Sequence, residues 1–216
     1  RDWSSDVCSS DLPQLTMPHL ILASTSPYRR QLLERLGLQV DVYDPSVDES
    51  AKPGEKASKL AIRLANAKAD NMAEEIVDAD SIIIGADQVA ELDGELLRKP
   101  GEKHTALHQL MTCQKKVVSF HTACTVIDYR SKCRWEGIDH TKVKFLRLGE
   151  RRLKRYIELE KPFDCAGGFK AEGLGITLFE SIESADPTAL LGLPLIWLSA
   201  ILREIGVDPL GPVNGD

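Results

Sequence analysis

The chain has 216 residues, 43% of them hydrophobic, enough for one large domain or two small ones, and a single α/β domain with lobes is the expectation. Its 28% charged residues and formal net charge of -6 oppose non-specific nucleic-acid binding, so a polyanionic ligand has to meet a local basic cluster. Apolar runs stay short of the roughly 18 residues a spanning helix needs, and the stretch Leu190 to Ile205 is broken by Gly192, Pro194, Ser199 and Arg203; no membrane partner is expected and a cytoplasmic location fits.

Arg1 to Leu12 lacks helix or strand periodicity and is read as a cloning scar or translated sequencing adapter, with Met17 as the natural start. Residues 1–16 are therefore expected to be a disordered extension, 17–211 a single domain and 212–216 a tail. His19 to Ala23 reads as a strand, and Ser24-Thr25-Ser26-Pro27 offers a hydroxyl cap and a proline at the first position of a following helix. Leu32, Leu33 and Leu36 share one face of that helix, which Gly37 ends. Gln39 to Tyr43 alternates like a second strand.

A long helix is predicted from Glu55 to about Glu75, its apolar face interrupted by Lys68. Ser81 to Ile84 has short-strand length and is closed by Gly85-Ala86-Asp87-Gln88, which puts Asp87 at a strand end; Asp93-Gly94 is a hairpin signal. Glu102 to Met111 and Glu150 to Leu159 read as helices, and Lys116 to Asp128 with Arg134 to Leu146 as a long antiparallel pair. After Pro162, the segment Asp164 to Gly175 carries four glycines that permit close backbone approach to a ligand. Leu178 to Ile182 reads as a strand, and Leu190 to Glu204 as a helix broken near Pro194. Without strict βαβ alternation, a mixed sheet is expected.

The five cysteines are odd in number and form no C-x-x-C pair, so they read as reduced thiols, Cys165 as a small buried residue rather than a nucleophile. The turn carrying Ser24, Tyr28, Arg29 and Arg30 joins hydroxyls, a helix N-terminus and two arginines, all able to bind phosphate; the same residues equally make a capped surface helix. Without G-x-x-x-x-G-K-[ST] it is not a P-loop. Asp48, Glu49 and Asp87 are candidate oxygen ligands for Mg²⁺ or Mn²⁺, although acids at turns are more often solvated, and Asp87 stands out by its buried strand. Lys68 and Lys99 are candidate phosphate contacts, with snorkelling to solvent the commoner fate of a lysine like Lys68. His104 and His108, four apart on a helix, lack a third ligand and read as a solvated face.

Leu20 to Arg30 (LILASTSPYRR), Val47-Asp48-Glu49, Ile84-Gly85-Ala86-Asp87-Gln88-Val89, Lys99-Pro100, Ala166 to Gly173 (AGGFKAEG) and Leu191-Gly192-Leu193-Pro194 together resemble the Maf family, in the family's order and over about 17–211. Gln88 and Glu172 resemble its 7-methyl-GTP pyrophosphatase branch. The resemblance implies an α/β fold with a long twisted mixed sheet flanked by helices and two lobes around a central cleft, similar to inosine triphosphate pyrophosphatases. It also implies hydrolysis of a nucleoside triphosphate between the α and β phosphates with a divalent metal cation. Asp87 would be proton acceptor and metal ligand, Glu49 a second metal ligand, and Ser24, Arg29, Arg30, Lys68 and Lys99 phosphate holders. Tyr28, Gln88 and Glu172 would choose the base. A homodimer is left open as the assembly. Arg98 stands where the family commonly has glycine, and Tyr28 where the branch often has tryptophan. The competing readings are a dTTP or UTP pyrophosphatase and a non-catalytic nucleotide-binding regulator of cell division.

Overall fold

A computed structural model describes residues 18–76, 78 and 80–211; the expected extension 1–16 and tail 212–216 lie outside the described residues. Strand β1 (His19–Ala23) leads through the turn 24–26 into helix α1 (Pro27–Arg35). Ser26 caps that helix in extended conformation, its hydroxyl accepting from the Arg29 amide, and Pro27 occupies the first turn, where its missing N–H costs nothing. Gly37, at φ 74°, takes the left-handed position past the helix end.

Strand β2 (Asp41–Tyr43), helix α2 (Ala57–Glu75), strands β3 (Ser81–Leu92) and β4 (Glu95–Leu97) and helix α3 (Lys103–Cys113) follow. The long pair β5 (Val117–Asp128) and β6 (Arg134–Phe145) precedes helix α4 (Glu150–Glu160), strand β7 (Phe179–Glu183) and helix α5 (Leu195–Glu204). Short 3-10 helices lie at Ala166–Gly168, Leu174–Leu178 and Ala189–Leu191. The seven-stranded sheet has the order β2-β1-β3-β5-β6-β7, with β4 paired to β3. Strand β1 is parallel to β2 and β3, and the other pairings are antiparallel, so the sheet is mixed, as the irregular alternation of elements predicts.

One expectation fails. Strand β3 does not close at Gly85-Ala86-Asp87-Gln88 but runs on to Leu92, paired with β5 through Glu91 and Ser119, so Asp87 lies mid-strand. The turn-like residues are accommodated because α2 covers one face there and a polar network holds the other.

Side chains on β3 alternate between faces. On one face Ile82, Ile84 and Ala86 pack with Leu32 and Leu33 of α1 and Leu198 and Leu202 of α5. Further along that face Ala90 and Leu92 join a second cluster with Phe120, Leu110 of α3 and Leu153 and Ile157 of α4. Each such leucine or isoleucine contributes roughly 1.5–3 kcal/mol of burial. Gln88 and Thr122 sit where one cluster stops and the next begins, which makes two lobes with a seam between them. The opposite face, with Ile83 and Val89, lies under α2.

Candidate functional site

The placement of Lys68 begins at Gly85. A Cβ there would stand 2.4 Å from the Ala65 carbonyl oxygen and 2.7 Å from the Ala69 nitrogen, so the backbone of α2 rests directly on β3. Asp87 is the next residue on that face. Lys68, on the same helix, is buried, and its Nζ lies 2.7 Å from Asp87 Oδ1 and 2.6 Å from Glu49 Oε1. The snorkelling fate expected for an isolated lysine gives way to a pair with two carboxylates, the arrangement a buried ammonium requires. Asp87 Oδ2 has no protein hydrogen-bond partner among the described residues.

Glu49 stands on the loop before α2, which Arg63 ties down: Arg63 Nη2 donates to the Ser50 carbonyl at 2.9 Å and Nε to Glu55 at 2.7 Å. Partial burial raises the Glu49 carboxyl, but the hydrogen bond and charge of Lys68, with Lys99 and Arg29 beyond, outweigh it and hold it below its ordinary value.

Across the site, Arg29 donates from Nη1 to the buried Ser24 hydroxyl at 2.9 Å and from Nε to the Gly192 carbonyl at 3.1 Å. Gly192 holds φ 118°, and a Cβ there would meet Arg29 Cγ at 3.2 Å, so the residue serves both the turn and the arginine. Arg30 points elsewhere, pairing with Glu34 at 2.7 Å outside the cavity lining. Gln88 Nε2 donates to the carbonyls of Ala189 (2.9 Å) and Leu190 (3.1 Å) and to Thr122 Oγ1 (3.0 Å). Its Oε1 makes no hydrogen bond among the described residues and keeps its capacity as an acceptor.

Two residues absent from the sequence reading hold this loop. Asp186 Oδ1 accepts from the Thr188 amide (2.9 Å) and hydroxyl (2.6 Å), and Oδ2 from the Ile196 amide (2.6 Å) at the start of α5. Asp139 in turn accepts from the Ser184 hydroxyl (3.0 Å) and the Asp186 amide (3.1 Å). Together they fix the three carbonyls that receive Gln88 and Arg29. The run Asp186-Pro187-Thr188 before an apolar helix was the available signal, an aspartate able to bond backbone two residues on.

These groups open on a cavity of about 330 Å³, within the range of small-ligand sites. Ser24, Tyr28, Arg29, Glu49, Lys68, Gln88, Lys99 and Glu172 all line it. Asp87 lines an adjoining space of about 420 Å³ that shares Arg29, Glu49, Lys68, Gln88 and Lys99. Lys99 lines both spaces, and the preceding Arg98 is held by its carbonyl, which accepts from Gln109 Nε2 at 3.0 Å. On the far wall the Tyr28 hydroxyl donates to Asp164 Oδ2 at 3.2 Å, and burial pushes the Cys165 thiol up to about 12, so it is neutral and no nucleophile. His104 and His108 are exposed on α3, and among the described residues no three His, Cys, Asp or Glu side chains cluster as a metal cage.

The family description "Maf-like protein" matches residues 19–205, a span that contains all of these lining residues. The chain belongs to the Maf family. Among Maf relatives, the "7-methyl-GTP pyrophosphatase" of Xanthomonas axonopodis pv. citri (strain 306) is 49% identical over 190 residues, covering 88% of this chain and 98% of that protein. The protein of the same name from Idiomarina loihiensis is 44% identical over 196 residues, covering 91% and 98%. The solved structure of the Staphylococcus aureus Ham1 protein is similar with a TM-score of 0.48 and 13% identity, over 87% of this chain and 99% of that one. No helix among the described residues of this Maf chain is long and apolar enough to cross a membrane.

Proposed function

We propose that the chain hydrolyses 7-methyl-GTP to 7-methyl-GMP and pyrophosphate, the activity its Maf relatives at 44–50% identity are named for. The observation that carries this reading is the composition of one cleft: Arg29, Lys68 and Lys99 with Ser24 beside the carboxylates Glu49 and Asp87, facing Tyr28, Gln88 and Glu172. A triphosphate needs the first set, and a purine with ring donors and a positive charge suits the second.

In this reading Arg29, Lys68 and Lys99 bind the phosphate oxygens and offset the charge that develops on the departing pyrophosphate. Because Arg29 is held by Ser24 and Gly192, its guanidinium needs little rearrangement to do so. Asp87 Oδ1 is taken by Lys68, and Oδ2 is the oxygen available to accept a proton from an attacking water. Glu49 and Asp87 offer hard oxygen donors side by side, which fits Mg²⁺ or Mn²⁺, cations that bind through one or two carboxylates and complete their shell with substrate phosphates and water. When bound, such a cation supplies charge neutralisation at the phosphates. Glu172 would accept from the N1 and N2 donors of the guanine, Tyr28 would present its ring face, and Gln88 Oε1 would supply a fixed acceptor.

The test is a panel of 7-methyl-GTP, GTP, dTTP and UTP with Mg²⁺ or Mn²⁺, with monophosphate and pyrophosphate quantified separately. The expected result is equal yields of 7-methyl-GMP and pyrophosphate and the highest kcat/KM for 7-methyl-GTP. Release of orthophosphate would overturn the cleavage position, faster turnover of dTTP or UTP the substrate, and binding without turnover the enzymatic reading.

A further inference from the structure

The cations lining the cavity come from α1, α2 and the loop at Lys99, with Asp44 and Glu49 as acids among them, whereas the segment after α4 brings two carboxylates to the lining, Asp164 and Glu172, and no lysine or arginine. Cys165 between them stays neutral, its thiol raised by burial and by the negative charges of Asp164 and Glu172. Asp164 is not spent on a strong ion pair: it accepts the Tyr28 hydroxyl at 3.2 Å, and its nearest cation, Lys170, stands 3.8 Å away. Lys170 lies outside the cavity lining, with its ammonium 5.9 Å from the centre of the Tyr28 ring. Asp164, Tyr28 and Lys170 thus form one group in which a carboxylate attracts positive charge toward the ring while a lysine already supplies some.

We infer that Asp164 is a specificity-determining residue that, with Glu172, makes this wall of the cavity electronegative and so selects a nucleotide with a cationic base over the same nucleotide with a neutral one. The inference deepens the reading of the site as a 7-methyl-GTP pyrophosphatase and rests on it for the identity of the ligand. 7-Methylguanine and guanine differ by one methyl group and one positive charge, so a contact with the N1 and N2 donors cannot by itself separate them, whereas a carboxylate field can. Lys170 opposes that selection, because its ammonium competes with the base for both Asp164 and the Tyr28 face.

The opposition of signs makes the test specific. Binding of 7-methyl-GMP and of GMP is measured by calorimetry for the wild-type protein, Asp164→Asn and Lys170→Met, alongside kcat/KM for the two triphosphates. Asparagine keeps an acceptor for the Tyr28 hydroxyl while removing the charge, so Asp164→Asn is expected to lower the preference for the methylated nucleotide about fivefold, as for a partly exposed charge pair. Lys170→Met is expected to raise it two- to threefold, also by loss of one screened charge. Raising salt should compress the wild-type preference, and compress that of Asp164→Asn less, because only Glu172 then remains to be screened. A preference unchanged by Asp164→Asn, or moved in the same direction by both substitutions, overturns the inference even if 7-methyl-GTP is hydrolysed. Absence of turnover with the expected shifts in the two binding constants would instead remove the catalytic reading and leave the charge selection standing.

Discussion

Gly85→Ala is the most economical test of how the fold positions the chemistry. The added Cβ would lie 2.4 Å from the Ala65 oxygen, 2.7 Å from the Ala69 nitrogen and 2.8 Å from the Ala69 Cβ. Two of these atoms are helix backbone, so no rotamer change relieves the overlap, and α2 has to retreat by roughly 1 Å to restore ordinary contact. Overpacking of this kind costs about 1–3 kcal/mol, and the upper half of that range is expected where backbone is the obstacle. The same retreat acts on the bond from Lys68 Nζ to Asp87 Oδ1, now 2.7 Å, and carries it past the range of about 3.2 Å in which such a bond is strong. Misplacement by about 1 Å in a reacting site costs on the order of 100-fold in rate. Urea denaturation followed by circular dichroism, with kcat/KM measured at a temperature where the variant is folded, should therefore show a loss of about 2–3 kcal/mol and a disproportionate loss of activity. Adding Ala69→Gly should recover little, since the Ala65 oxygen remains in place. A Gly85→Ala protein with wild-type midpoint and wild-type kcat/KM would refute the argument that helix contact at this glycine sets the Lys68 and Asp87 geometry.

Asp87→Asn should lower kcat/KM by about 1,000-fold or more while melting within a few degrees of wild type, because the amide still accepts from Lys68 and Lys68 keeps Glu49; near-normal turnover by the folded variant removes Asp87 from the mechanism. Glu172→Ala should reduce the preference for 7-methyl-GTP over UTP by at least about tenfold, roughly 1.4 kcal/mol, in paired kcat/KM measurements; an unchanged ratio would sink the role of Glu172 and leave the pyrophosphatase reading intact. Glu49 has a folded-state carboxyl below its ordinary 4.5, so its stabilising pair with Lys68 is fully present above that pH and lost as pH falls through the lowered value. Melting temperatures of wild type and Glu49→Gln should accordingly converge on acidification below 4.5, and a constant difference would contradict the assignment. Site-resolved alkylation at neutral pH should modify the exposed Cys133 at least about a hundredfold faster than Cys165, whose thiol is raised to about 12; equal rates would show that thiol to be accessible and ionised.

Most elements were legible because glycine, proline and capping hydroxyls punctuate them: the strand at His19–Ala23, the cap at Ser26, the end at Gly37 and the hairpin at Asp93-Gly94 all stand where local chemistry puts them. The full length of strand β3 is not legible in the sequence because Gly85, Asp87 and Gln88 look like turn residues, and what makes them strand residues is remote. Helix α2 fills the space above Gly85, and the carbonyls of Ala189 and Leu190 satisfy Gln88 from about a hundred positions away. The separate fates of the adjacent arginines were in fact encoded. Arg29 precedes the buried Leu32 and Leu33 by three and four residues, whereas Arg30 has buried Leu33 at three but the acidic Glu34 at four, the residue it pairs with. Asp139 and Asp186 had only a weak local signal, since their value lies in joining β6 to the loop before α5.

The order in which these parts depend on one another explains why the site sits at the seam. On one face of the sheet, two apolar clusters each close on their own helices, and the residues between them cannot be covered by either. Gln88 and Thr122 are polar there because the loop at Ala189 and Leu190 presents carbonyls that must be paired. That loop is held by Asp186, so the Gly192 carbonyl is a fixed anchor for Arg29 rather than a mobile one. On the other face, Lys68 is buried with both of its carboxylate partners supplied by separate elements, the loop before α2 and strand β3. The cations are therefore oriented by the same hydrogen bonds that make the two lobes cohere. A polyanion entering the cleft meets charges whose positions folding has already fixed, which is the condition under which electrostatic stabilisation of a leaving pyrophosphate is strongest.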